Sequence, residues 1–389
     1  MLLMKKKVLI FIPEFPVLTE TFIEREVSQL VKRDNLDVTV VALNKGEGVL
    51  SEFSSKVTKY ERLTVSACFG GALYFLTKTS KVFEALKEVG ISHLYSFLKG
   101  VGYAYAFSKY EPDIIYAHFL SYPSTVALVA SIVLGTDFAI SAHARDILEY
   151  PDLPEKKVER AKFITICNEN ACNKAKELSG SADSSKIKLM YHGIDPKSLV
   201  LEGIDKAQPP MIFCVGRYEE KKGQIYLVEA AKKLKEWERE FKVVIAGGGL
   251  LHRNLQKKID DLELNDCVEL VGALSFEEIK KHYHQASYFV LPLVEAESGD
   301  ADGIANTLIE AAMIRLPIVT TNAGSTLDFL DESSAMIVSQ HDSKAVADAV
   351  VKLMDNQELK ESIVTNAYNK AIEMFDIDIN IEKIENLLL

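Results

Sequence analysis

Two short patterns carry side chains able to do chemistry. Gly216-Arg217 followed by Lys222-Gly223 forms a Gly-Arg-x4-Lys-Gly pattern, and Asp302 and Glu310 form Asp-x7-Glu. Arginine presents a rigid fork of donors and lysine a compact point charge. At a strand end beside a helix N-terminus, where N–H groups are free, the pair makes an anion site suited to phosphate oxygens. The carboxylates suit hydroxyls: Asp302 in a loop and Glu310 about two turns into the helix that follows would face one crevice at different depths, as a sugar and a ribose require. Asp300-Ala301-Asp302 is also an Asp-x-Asp of the kind that holds Mg²⁺ or Mn²⁺ through oxygen ligands. With Arg217 and Lys222 already supplying fixed positive charge, a metal is redundant, and the expectation is metal-free chemistry. Two histidines, His118 and His143, each close an apolar run and so fall at a strand's carboxyl edge, where ligands of α/β sheets gather. Most single histidines at such edges are structural, and two in one half add weight to a ligand role.

The elements that must position these residues follow from hydrophobic patterning. Apolar runs beginning at Val8, Val38, Asp113, Phe138, Phe163 and Ile187, and again at Met211, Phe241, Val268, Tyr288, Ile318 and Ala335, read as buried strands, with amphipathic stretches between several of them. Such alternation predicts two parallel-sheet Rossmann-like domains. Tyr288–Leu291 leads into the acidic loop holding Gly299, Asp302 and Gly303, and then into a helix from Thr307. Gly272-Ala273 forms a turn after a strand, and its backbone could hydrogen-bond a nucleobase edge. No Gly-x-Gly-x-x-Gly opens either half, and Gly247-Gly248-Gly249 lacks the downstream spacing, which argues against a dinucleotide dehydrogenase. Thr21-Phe22-Ile23-Glu24 reads as a capping box. The domain reading is 1–195, a linker over 196–210, a second domain over 211–375 and a terminal segment over 376–389.

Asp302-x7-Glu310, with Gly303 and Leu316–Thr321 behind it, resembles the Glu-x7-Glu region of family 4 retaining glycosyltransferases of the GT-B fold, and Gly-Arg-x4-Lys-Gly resembles that family's diphosphate-binding pair. The Phe15-Pro16-Val17-Leu18-Thr19-Glu20 loop resembles the subset that builds exopolysaccharides such as colanic acid. The departure is Asp302 where the family has Glu, a carboxylate set back by about one C–C bond, roughly 1.5 Å. The resemblance implies two Rossmann-like domains facing across a cleft and transfer of a sugar from a UDP-, GDP- or ADP-sugar to a carbohydrate or lipid-linked acceptor, with no cofactor. It implies catalytic roles for Arg217, Lys222, Asp302 and His143, and donor contacts from Glu310, Gly216, Gly272, Ala273, Gly303, Ile304, Asn306 and Thr307. Acceptor contacts would come from Phe15, Thr19, Glu20, His118 and Asp146, and the terminal segment would return to the N-terminal domain. The alternatives are a sugar-nucleotide epimerase or phosphorylase on the same fold, or a non-catalytic nucleotide-sugar-binding protein.

The 389 residues carry a net charge of −11, which argues against a nucleic-acid binder, since phosphate backbones demand clustered cations. Five scattered cysteines form neither a disulfide framework nor a zinc spacing, and point to a reducing, cytoplasmic setting. The apolar start reads as a strand rather than a signal peptide, and no apolar run reaches the roughly 20 residues of a membrane span. Between Lys56 and Tyr110, eight Lys or Arg face three acids, with aromatics interleaved. The first reading is helices with buried aromatics and solvated lysines. The second is a surface for anionic lipid or a lipid-linked acceptor at the inner face of a membrane.

Overall fold

Strands that are apolar along their whole length must be covered on both faces, and parallel strands require crossovers that supply the cover. The computed structural model, which describes residues 5–17, 20–61 and 76–389, builds this arrangement twice. It divides into one unit of Met1–Gly193 with Ile377–Leu389 and a second of Ile194–Asp376. Thr19, Cys68 and the 62–75 portion of the basic stretch lie outside the described residues.

The first unit holds β1 (Lys6–Phe15), β2 (Leu36–Lys45), β3 (Thr58–Tyr60), β4 (Ile114–His118), β5 (Asp137–Ala142), β6 (Ile164–Ile166) and β7 (Ile187–Leu189) in a parallel sheet of order β3-β2-β1-β4-β5-β6-β7. The second holds β8 (Met211–Val215), β9 (Lys242–Ala246), β10 (Val268–Gly272), β11 (Tyr288–Leu291), β12 (Ile318–Thr321) and β13 (Met336–Val338) in the order β10-β9-β8-β11-β12-β13, again parallel. Chain direction of the sheet order reverses between β1 and β4 and between β8 and β11. The loops leaving those strand pairs diverge and open a crevice, which is where doubly wound sheets bind ligands.

Alternation along β1 divides the first core in two. Leu9 and Phe11 join a layer with Val82, Phe97, Phe107 and Val126, whereas Val8, Ile10 and Ile12 join Ile23 and Val27 on the other face. That second layer is completed from the far end of the chain. Ile377, Ile381, Ile384 and Leu388 form one stripe of the terminal helix Ile377–Leu388 and are buried there, with Asn380 Nδ2 donating to the Tyr191 carbonyl at 3.1 Å.

Three expectations are revised. Residues 196–210 are not a free linker: Leu199 is buried, Ala207 N donates to the Gln285 carbonyl at 2.9 Å, and Lys206 Nζ donates to the Ala286 carbonyl at 2.6 Å, so this stretch belongs to the second unit. No capping box forms at Thr21. Glu20 occupies the N-cap, and Glu24 Oε1 instead accepts from Ser51 N at 3.0 Å and Ser54 Oγ at 2.8 Å, two long-range donors prevailing over the local one. The basic stretch does not bury its aromatics throughout, with Phe97, Tyr103 and Phe107 in the core and Phe83, Tyr95 and Tyr105 exposed. Among the described residues no helix is long and apolar enough to cross a membrane.

Because the terminal helix closes the first unit's core, Ile384→Ala should lower that unit's unfolding free energy by about 2–5 kcal/mol, the usual cost of truncating a buried isoleucine. Urea unfolding followed by hydrogen exchange checks it: exchange should rise in β1 and Thr21–Leu30, and β8–β13 should stay protected.

Candidate functional site

In the second unit β8 and β11 are hydrogen-bonded neighbours, so the loops after them meet although they are distant in sequence. Lys222 Nζ forms an ion pair with Asp302 there, and Lys221 Nζ lies 2.9 Å from Asp300 Oδ2 and 3.6 Å from Asp302 Oδ1. The side chains of Lys221, Lys222 and Asp302 are each less than 15% exposed, so their attraction is poorly screened. Burial works to lower the Lys221 pKa, but Asp300 and Asp302 outweigh it and raise it above the ordinary value. Lys221 was not among the expected residues; the signal was its place beside Lys222. Asp300 is therefore an ion-pair partner of Lys221. Arg217 differs from Lys222: its side chain is 67% exposed and its Nη1 lies 3.0 Å from Glu219 Oε1.

Several neighbours fix this cluster. Gln224 Nε2 donates to the Arg217 carbonyl at 2.9 Å, holding the β8 loop. A Cβ on Gly247 would stand 2.0 Å from the Gly216 carbonyl oxygen, so the triple-glycine turn is a close-packed support for Gly216. Beneath Asp302, Ser325 N donates to its carbonyl at 3.1 Å, and Gly324 sits at φ +57° where a Cβ would come 1.9 Å from that same oxygen. Only glycine permits both this conformation and this approach.

Glu310 is held separately. It is the fifth residue of the helix Asn306–Met313, hence little more than one turn in rather than two. Fully buried Tyr283 donates from Oη to Glu310 Oε2 at 3.0 Å, and burial together with the Glu310 charge raises the tyrosine's pKa well above its ordinary value. Tyr283 was also unanticipated. Ala305 at the N-cap offers the helix no side-chain cap, so no side chain competes for its first-turn N–H groups. Gly303 and Asn306 are exposed and Ile304 and Thr307 half-buried around that helix start. Gly272, at φ +74°, accepts from Gly247 N at 2.8 Å, and Ala273 beside it is exposed.

In the first unit β4, β5, β6 and β7 are adjacent, and their carboxyl ends present His118, His143, Cys167 and, three residues past β7, His192. His143 is 5.8 Å from His118 and 5.2 Å from His192 between ring centroids, with the Phe22 ring 4.9 Å from His143 and 4.1 Å from His192. Burial lowers the His143 pKa to about 3 and holds His118 and His192 well below the ordinary 6.5, so all three imidazoles are neutral near neutral pH. Glu26, 3.7 Å from His118, is pushed up to about 7 by burial.

Three of the residues expected to contact an acceptor are buried. His118 is wholly buried, and Phe15 is a core residue. Asp146 is also buried and spends its carboxylate on backbone: Oδ1 accepts from His143 N at 2.8 Å and Oδ2 from Leu120 N, tying the end of β5 to the loop after β4. Burial raises its pKa to about 6, against those amide bonds. All three side chains are closed to solvent in this structure, and the Asp146 carboxylate acts on the backbone around it. Thr19 falls outside the described residues. Glu20 keeps access: with Pro13, Glu14, Val17, Phe119, Ser121 and Pro123 it lines a pocket of about 320 Å³ where β1 and β4 diverge. Burial, then the charges of Glu14 and Asp146, raise its pKa.

The family described as Glycosyl transferases group 1 matches residues 202–370, the greater part of the second unit. Over 98% of its length the chain is 26% identical to the amylovoran biosynthesis glycosyltransferase AmsK of Erwinia amylovora and 24% identical to the putative colanic acid biosynthesis glycosyltransferase WcaL of Escherichia coli, covering 99% of each. Among solved structures, a glycosyltransferase from Rickettsia africae is similar at a TM-score of 0.71 and 15% identity, covering 98% of both chains. Anabaena HepE in complex with UDP is similar at 0.68 and 15%, over 98% of this chain and 99% of that one. The fold is thus that of GT-B glycosyltransferases, two parallel-sheet Rossmann-like units.

The buried imidazole sets a pH dependence. The unfolded chain protonates His143 as pH falls below 6.5, whereas the folded chain resists until about pH 3, so this group removes stability as pH falls through that window. Glu26, raised to about 7, and Asp146, raised to about 6, act in the opposite sense between those values and their ordinary ones. His143→Gln should therefore flatten the loss of stability between pH 6.5 and 4 by up to about 1.4 kcal/mol per pH unit, one proton's worth. Urea denaturation at several pH values measures it, and an unchanged slope would mean His143 takes up its proton in the folded state.

Proposed function

We propose that the chain is a glycosyltransferase of polysaccharide biosynthesis that moves a sugar from a nucleoside-diphosphate sugar to an acceptor hydroxyl with retention of configuration. The observation that carries this reading is the Lys221–Lys222–Asp302 cluster at the β8–β11 divergence, beside the uncapped start of Asn306–Met313. Departure of a nucleoside diphosphate builds negative charge on phosphate oxygens, and preorganised cations and helix N–H groups are what stabilise it. Lys222, held in place by Asp302, and Arg217, loosely held and exposed, divide that task between a fixed charge and a reaching one. Asp302 meets the transferring sugar, Glu310 the ribose on its tyrosine post, and the Gly272-Ala273 turn the base. These fixed cations make a divalent metal unnecessary, so transfer is metal-independent. The donor is a UDP-, GDP- or ADP-sugar. HepE, of similar fold, has been solved with UDP-glucose, and AmsK and WcaL are described as glycosyltransferases, the latter a putative one, of amylovoran and colanic acid biosynthesis, which supports a nucleoside-diphosphate donor and a glycan product.

Calorimetry with nucleoside diphosphates and assays with their sugars separate the two carboxylates. Glu310→Gln should weaken nucleoside diphosphate binding by about 10- to 150-fold, the worth of a hydrogen bond to a charged group. Asp302→Asn should leave that binding within a few-fold while depressing transfer, and excess EDTA should leave the native rate unchanged. The reverse pattern between the carboxylates, or a rate that collapses on chelation and returns with Mg²⁺ or Mn²⁺, would overturn the reading.

The acceptor enters through the first unit, at the pocket around Glu20, and is a carbohydrate or a lipid-linked one. Exposed Leu94, Tyr95 and Leu98 on one helix, with Lys99 Nζ 4.5 Å from the Tyr95 ring, support the lipid-linked form, because apolar side chains flanked by a cation suit the interface of an anionic bilayer. The chain should then co-sediment with phosphatidylglycerol-containing vesicles in a salt-sensitive way, and Leu98→Glu should abolish this. Binding that ignores both salt and the substitution would refute the surface.

A further inference from the structure

Three ligating side chains meet at the ends of adjacent strands of the first unit without being used together by the reading above. His143 follows β5, Cys167 follows β6 and His192 lies just past β7, and one ligand atom from each falls within 4.8 Å of the others. The three strands are consecutive in the sheet at about 4.8 Å spacing, so the outer two ends stand roughly 10 Å apart and the side chains reach inward to meet. Both ring nitrogens of His143 are buried and have no hydrogen-bond partner among the described residues, an unusual state for a polar group closed off from water. Cys167 is half-buried and in no disulfide. Phe22 lies against both histidine rings and Phe119 stands edge-on to His143 at 5.0 Å, so the cluster sits under an apolar cover.

We propose that His143, Cys167 and His192 form a binding site for a thiophilic divalent cation such as Zn²⁺ or Co²⁺. Two imidazoles and a thiolate are the donor set such ions select, and they do not suit Mg²⁺ or Mn²⁺, which prefer oxygen. In a tetrahedral site with metal–nitrogen bonds of about 2.0 Å and a metal–sulfur bond of about 2.3 Å, ligand atoms stand roughly 3.3–3.6 Å apart. Closing the observed triangle requires movements of about 1 Å, within the reach of side-chain torsions. The fourth position is left to water. On binding, the Cys167 thiol gives up its proton to solvent, and the imidazoles ligate in their neutral form, so no redox change occurs. The consequence is regulatory: a bound ion takes His143 away from any sugar, and the cation acts as a reversible inhibitor. That last step rests on the transferase reading, whereas metal binding itself does not.

Titrating the EDTA-treated full chain with Co²⁺ tests the site directly. The native chain should bind one equivalent with visible bands of tetrahedral intensity and a near-ultraviolet thiolate-to-cobalt band. Cys167→Ser should lose the thiolate band, and His192→Ala should weaken binding by roughly tenfold or more, since even outer partners of metal ligands carry that much affinity. A second measurement needs no variant: one equivalent of Zn²⁺ should slow alkylation of Cys167, read by mass spectrometry, and leave Cys267 unchanged. Absence of the thiolate band in the native chain, its survival in Cys167→Ser, or Cys167 alkylation indifferent to Zn²⁺ overturns the site. In the transfer assay Zn²⁺ should inhibit the native chain and inhibit Cys167→Ser far less. If the cobalt spectrum appears but Zn²⁺ leaves transfer untouched, the metal site stands and only the inhibitory step falls.

Discussion

The ion pair between Lys222 and Asp302 joins residues 80 positions apart, and the second unit's functional end is arranged to make that pairing possible. Two like-signed lysines and Asp302 are brought into a region of low exposure, with Asp300 at its exposed edge, where uncompensated charge would be costly and mutual compensation is strong. The supports are backbone devices rather than further charges. Gly324 and Ser325 grip the Asp302 carbonyl, Gly247 backs Gly216, and Gln224 ties down the Arg217 carbonyl. A cluster fixed in this way can meet an incoming anion without reorganising, which is the condition under which fixed charges accelerate a reaction.

The same topology gives the first unit a different chemistry. At its sheet's reversal point the loops carry Glu20 and aromatic and apolar neighbours in place of lysines, leaving a pocket rather than an ion-pair cluster. Beyond β4, successive strand ends carry His118, His143, Cys167 and His192 beneath aromatic rings, and burial keeps the imidazoles neutral. Sheets of seven and six strands that share the order of their first six thus carry a charged edge in one unit and a ligating edge in the other. The difference lies in the residues at and beyond the strand ends, as expected when function is grafted on a shared scaffold.

The sequence by itself determined a great deal. Short apolar runs recurring between amphipathic stretches read as strands covered on both faces, so the parallel α/β class followed from pattern, as did the placing of Arg217, Lys222 and Asp302 in loops after strands and of Glu310 in the helix that follows. Those inferences hold because they depend on neighbours in the chain. What tertiary structure decided depends on partners from elsewhere. It buried His118 and set the Asp146 carboxylate on backbone amides, recruited Tyr283 to hold Glu310 and Lys221 to join Asp302, and diverted Glu24 from a local cap to Ser51 and Ser54. It also folded 196–210 onto the second unit and set Cys167 within reach of His143 and His192. Which strands lie side by side is fixed by crossovers and the burial they achieve, and no local spacing encodes that order.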